Sequence, residues 1–305
     1  STLIKVMFII AMAVCILGFI NSPMALVGGF LFSYFFGHPF LSINRTAVNW
    51  LLKIAVVGLG FGMNLTDAIQ AGKTGFLLTV ASIAATLILG FFLGRMMKMN
   101  RKENHLISSG TAICGGSAIA AVSPVIDASE KDISISLGVI FLLNSVALIT
   151  FPYLGSWLEM NQQEFGLWAA IAIHDTSSVV GAAHTFGEEA LQVATTVKLA
   201  RTLWIIPLSL LSMLLFKGKG KGVKIPYFIF LFLLAIILNT YLPLPEKMTT
   251  DITTISKSLL VLTLFLIGAG LSVDKIKAAG WKPMILGISL WIFISVSSLM
   301  AIVFL

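Results

Sequence analysis

Two stretches of this chain place glycine, hydroxyl and ionisable residues inside long apolar runs. The first is Gly110-Thr111-Ala112-Ile113-Cys114-Gly115-Gly116-Ser117-Ala118-Ile119-Ala120-Ala121. The second is Ala172-Ile173-His174-Asp175-Thr176-Ser177-Ser178-Val179-Val180-Gly181-Ala182-Ala183. Two adjacent glycines weaken a helix by roughly 1 kcal/mol each relative to alanine, and Ser117 is a good N-cap for a helix that restarts there. The free N–H groups and positive dipole end of a restarting half-helix suit an oxyanion. Glycine at a close helix crossing is the competing reading. In the second stretch, Asp175 is the one acidic residue well inside an apolar segment. A carboxylate at that depth costs about 2.5–3.5 kcal/mol on insertion scales and marks a pathway. With its neighbour His174 it forms the candidate proton-coupling pair, while Thr176, Ser177 and Ser178 offer hydroxyls to a ligand. Asp175 alternatively serves only to cap a second half-helix.

Lys198 and Arg201 lie within Ala194-Thr195-Thr196-Val197-Lys198-Leu199-Ala200-Arg201, spaced i, i+3 and so on one helix face. Arg201 is about 12 Å from either end of its apolar segment at 1.5 Å per residue, too deep to snorkel. Two cations against one acid leave an electropositive centre that favours an anion; a salt bridge to Asp175 is the alternative. Asn144, mid-way along another segment, either binds substrate or ties helices together. The expected anion-lining set is therefore Cys114, Gly115, Gly116, Ser117, Asn144, Thr176, Ser177, Ser178, Lys198 and Arg201. Softer signals are Asn64 and Ser272 as helix caps, Lys53 as a snorkelling base, His184 near the outer mouth, and His38 and His105 in loops.

The elements that hold these residues are membrane helices. The 305 residues are 58% hydrophobic and 11% charged, where soluble domains average about 25% charged. Eleven apolar segments follow one another with short connections: roughly 3–20, 23–38, 47–64, 76–97, 106–126, 134–158, 166–186, 190–216, 225–242, 256–272 and 284–305. About 20 such residues cross the hydrocarbon layer, which predicts an all-α polytopic membrane protein occupying 1–305 as one domain. Irregular backbone at membrane depth is tolerated only where it is buried in protein or lines a cavity, so 106–126 and 166–186 are expected to be broken or re-entrant. The first segment resembles a signal peptide, yet no cleavage site and soluble domain follow, so it reads as a span. Residues before Ser1 are expected, because the chain opens without a methionine.

Cys15 and Cys114 support neither a disulfide framework nor metal-ligand spacing. No nucleotide-binding motif is present, and no cofactor is expected. The net charge of +7 resides between the spans without an aromatic-interleaved face, which argues against nucleic acid as a partner. With the N-terminus inside, thirteen of the twenty Lys/Arg fall on the cytoplasmic side and Lys73, Lys131, Lys247 and Lys257 fall outside, the bias that orients membrane proteins. Residues 51–72 align without a gap to 259–280, an offset of 208. Copies entering from opposite sides predict inverted repeats around 23–97 and 225–305. A weaker similarity at an offset of 60 relates the two opening stretches. They run parallel if both cross the membrane, and dip in from opposite faces if both are re-entrant.

These stretches, together with Pro124-Val125-Ile126 and the segment 194–201, resemble the YeiH-type sulfate exporter family of bacterial inner-membrane proteins over nearly the whole chain. The resemblance implies the fold of the cation:proton antiporter and anion transporter superfamily, with inverted repeats, crossing discontinuous helices and, by analogy, a homodimer. It also implies sulfate or a related sulfur oxyanion as substrate. The expected function is secondary transport of a small anion by alternating access in the bacterial inner membrane, with the N-terminus cytoplasmic and no enzymatic activity. The rivals are a sodium-coupled organic anion carrier or sodium/proton antiporter using Asp175, an intramembrane enzyme using Cys114 and His174, and a structural subunit.

Overall fold

In the computed structural model, residues 2–20, 22–216, 227–242, 244–270 and 280–304 are described. Ser272, the basic stretch 217–224, Lys275 and Lys277 lie outside the described residues, as do positions 271–279 of the longer repeat. Among the described residues all regular structure is helical. In order come α1 (Thr2–Ile16), α2 (Ser22–Phe36), α3 (Leu41–Leu59), α4 (Leu65–Met96), α5 (Arg101–Ala112), α6 (Gly116–Val122) and α7 (Glu130–Trp157). They are followed by α8 (Gln162–Ala172), α9 (Thr176–Phe186), α10 (Glu188–Thr202), α11 (Ile205–Phe216), α12 (Phe228–Tyr241), α13 (Glu246–Gly270) and α14 (Trp281–Phe304). Among the described residues, five runs are long and apolar enough to cross a membrane: Leu65–Met96, Lys131–Trp157, Glu188–Phe216, Glu246–Gly270 and Trp281–Phe304. The starts follow from local sequence. Asn64 caps α4 by accepting from the Thr66 N–H, and Asn100 caps α5 through the Lys102 N–H. Reciprocal capping boxes, Ser129 with Asp132 and Asn161 with Glu164, open α7 and α8.

Segment 106–126 is a hairpin rather than a span. Its arms α5 and α6 fold back on each other, so that a Cβ on Gly110 would lie 3.1 Å from Ile119, and Lys102 Nζ donates to the Asp127 carbonyl across the open end. Segment 166–186 does the same. The Phe165 and Phe186 rings, at the start of α8 and the end of α9, stack at 3.9 Å, and Gln162 Oε1 accepts from the Glu189 N–H at 3.0 Å. The single span α7 leaves the open end of the first hairpin and reaches that of the second. The two therefore enter from opposite ends of the bundle. This corrects the pair of crossing discontinuous spans that the family resemblance implies. It also moves Lys131 to the same end as Arg101 and Lys102, where the sequence reading had placed it opposite.

Around the hairpins the helices sort into two groups. α4, α7, α10–α11 and α14 pack on the hairpins; α1, α2, α3, α12 and α13 form the other group, with α9 against α13 and α2 between them. α3 and α13 run antiparallel: Asn44 Nδ2 donates to the Leu266 carbonyl at 2.9 Å, while Gly58 faces Ser256 and Gly62 faces Thr253. α2 and α13 meet almost backbone to backbone. A Cβ on Gly29 would stand 2.0 Å from the Phe265 carbonyl oxygen, and one on Gly268 2.0 Å from that of Leu26, the close approach that small residues permit.

Candidate functional site: two hairpin tips and two buried cations

The hairpins meet tip to tip. α5 stops at Ala112, and Gly115 turns the chain with φ +61° and ψ −121°, a conformation open to glycine but costly for residues with a Cβ. A Cβ on Gly115 would sit 3.5 Å from Asp175 and 3.1 Å from Ile140 of α7. The second tip turns instead through extended backbone at Ile173 and Asp175.

Each turn leaves the last carbonyls of its entering helix without intrahelical partners. Lys198 and Arg201, both fully buried, supply those partners. Lys198 Nζ donates to the Ile113 carbonyl at 3.0 Å, the Ala170 carbonyl at 3.3 Å and the Ile173 carbonyl at 2.7 Å, so one ammonium joins both tips. Arg201 Nε and Nη2 converge on the Ala112 carbonyl, and Nη1 donates to Ser82 Oγ of α4 at 2.8 Å. Cations at helix C-termini also meet the negative end of the dipole. Among the described residues, the one ion pair within 4.0 Å joins Lys257 and Glu188, outside the tips. Neither buried cation is therefore in a salt bridge with Asp175.

Asp175 caps α9. Its Oδ2 accepts from the Ser177 N–H at 3.1 Å and from the Ser177 hydroxyl. Asn144 Oδ1 accepts the His174 and Asp175 N–H groups at 3.1 and 3.2 Å, tying the second tip to α7. Several buried polar atoms here have no hydrogen-bond partner among the described residues: both ring nitrogens of His174, Asn144 Nδ2 and the hydroxyls of Thr111, Thr195 and Thr196. Buried polar groups nearly always have partners, so these are groups at the tips still able to hydrogen-bond a small polar molecule. At the mouth of the first hairpin, about 18 Å from the tip at 1.5 Å per residue, a cavity of about 730 Å³ is lined by residues including Arg101, Lys102 and Asp132. There burial, reinforced by Asp132, raises the Glu103 carboxyl above its ordinary range.

Residues 3–287 match the family described as conserved hypothetical protein 698. Over 292 residues the chain is 51% identical to a UPF0324 membrane protein of Photobacterium profundum, covering 96% of this chain and 89% of that one. It is also 49% identical over 308 residues to one from Shewanella oneidensis, with 98% and 95% covered. The chain belongs to the UPF0324 membrane protein family. A third member, from Bacteroides thetaiotaomicron, is 49% identical over 288 residues, covering 93% and 87%. No solved structure matches.

In this UPF0324 protein the residues singled out from sequence divide into three groups. Cys114, Gly115, His174, Asp175, Asn144, Lys198 and Arg201 come together at the tips. Thr176, Ser177 and Ser178 are buried in the first turn of α9. Gly116 lies against Phe141 and Leu137, and Ser117 is exposed on α6. Ser117 does not cap that helix: the N-cap position belongs to Gly115, which has no side-chain cap. His105 is not a loop residue but lies within α5, with Nε2 2.7 Å from Ser212 Oγ. Sequence reasoning missed Ser82 and the carbonyls that hold the cations. A serine in an apolar helix carries no distinguishing signal, since its hydroxyl usually bonds its own backbone.

Proposed function

We propose that this UPF0324 protein is a secondary transporter of a small anion, a sulfur oxyanion such as sulfate being the favoured class. It works by alternating access around the hairpin tips, in the inner membrane with the N-terminus cytoplasmic. The observation that carries this reading is the pairing of excess positive charge with vacant donors. Lys198 and Arg201 face one carboxylate, Asp175, while Asn144 Nδ2, His174 and the threonine hydroxyls remain buried and unpartnered. Half-helices meeting near the membrane middle are the recurrent substrate site of secondary transporters. Lys198 contributes field rather than contacts, because its three N–H groups meet carbonyls, while Arg201 places three of its five N–H groups on Ala112 and Ser82. Direct contacts fall to Asn144, His174 and the hydroxyls, with His174 and Asp175 carrying the proton if transport is proton-coupled.

Asn144→Asp tests this directly. It keeps the oxygen that accepts from His174 and Asp175 but turns the vacant donor into an acceptor and adds a negative charge. The purified wild type is expected to melt at a higher temperature with sulfate or sulfite and to catalyse sulfate counterflow in proteoliposomes, while Asn144→Asp folds and does neither. A wild type indifferent to every small oxyanion in both assays sinks the proposal.

A further inference from the structure

We infer that Lys198 is a built-in substitute for a coupling sodium ion, so that this protein needs no sodium to hold its hairpins together or to work. In carriers with discontinuous helices, carbonyls at half-helix C-terminal ends and unwound turns are the groups that coordinate sodium. Here the ends of two half-helices converge, and the position between them is filled from within. The Lys198 ammonium is fully buried and meets the carbonyls of Ile113, Ala170 and Ile173 at 3.0, 3.3 and 2.7 Å. An ammonium has three N–H donors and no acceptor, so three carbonyls satisfy it completely. The stem arrives from α10, where Thr202 Oγ1 donates to the Lys198 carbonyl at 2.9 Å. The neighbouring Arg201 covers the Ala112 carbonyl, leaving the last turn of α5 capped as well. A mobile cation in this place would have to displace a tethered one of equal charge.

The inference deepens the transport reading by naming its cation requirement, but its main test reads stability and stands whether or not sulfate is the cargo. Melting temperatures of the purified full chain are compared in equal concentrations of sodium, potassium and choline chloride. The wild type is expected to be the same in all three. Lys198→Ala leaves three converging carbonyls and an empty space, and its melting temperature is expected to rise by at least about 3 °C in sodium over choline. Lys198→Met fills that space without charge and is expected to show no sodium response. A sodium-specific shift in the wild type overturns the inference, as does a folded Lys198→Ala protein that melts alike in the three salts. If Lys198→Ala does not fold in any of them, the wild-type comparison decides alone. Counterflow supported equally by sodium and choline is expected wherever counterflow is observed; loss of sulfate binding in all salts would refute the anion reading and leave this one intact.

Discussion

At the scale of single residues, the site depends on side chains that complete backbone. Asn144 accepts two N–H groups of the second tip through one oxygen. Asn144→Leu would leave both buried and unpaired, at about 1–3 kcal/mol each. A loss of about 2–4 kcal/mol is expected in denaturation of the detergent-solubilised protein; a loss under 1 kcal/mol would mean that water reaches the tip. Arg201 differs from Lys198 in kind. Its planar fork holds one carbonyl and the Ser82 hydroxyl together, a geometry that lysine cannot reproduce. Arg201→Lys is therefore expected to keep the charge yet lower the melting temperature, and a variant as stable as wild type would show that charge alone suffices. The sequence revealed both cations because ionisable residues in apolar helices are rare. It could not reveal their partners, since backbone carbonyls leave no trace in residue identity.

At the scale of elements, the eleven apolar segments were legible from hydropathy, and each holds one or two helices over its described residues. Whether the two polar-tipped segments cross or fold back was not legible. Both outcomes bury the same residues and leave nearly the same charge bias, and only contacts such as Phe165 with Phe186 decide between them. The boundaries of α4 were also blurred, because its first turns (Leu65 to Gly75) mix polar and apolar residues ahead of the hydrophobic run. Glycine positions were visible, but their differing roles were not. Gly268→Ala would force a Cβ against the Leu26 carbonyl oxygen at 2.0 Å, whereas Gly28→Ala meets nothing within 4 Å. Gly268→Ala is expected to destabilise the α2–α13 contact by about 1–3 kcal/mol, with Gly28→Ala neutral. Equal melting temperatures for the two variants would contradict the close backbone approach.

At the scale of the whole molecule, the two helix groups touch along α9 and α13, where Val180, Leu260, Ala55 and Leu59 form an apolar seam. One ion pair, Lys257 to Glu188, bridges the groups at the surface with its lysine nitrogen 2.5 Å from the carboxylate. Exposed pairs contribute about 0–1 kcal/mol, so Glu188→Gln is expected to change stability little. Position matters more than energy here. Cysteines at 188 and 257 joined by a short crosslinker are expected to stop sulfate counterflow, with activity returning when the link is cleaved. Undiminished counterflow in the linked protein would show that the groups do not shift against each other during transport. The native Cys15 and Cys114 are buried and do not compete for the reagent.

Only residues 158–161 separate the end of α7 from the start of α8, and only 123–129 separate α6 from α7. One continuous helix, with Pro152 in its last turns, is thus strung between the openings of both hairpins. If the transport proposed above holds, a tilt of this helix would move both hairpin openings together, because both linkers to it are short.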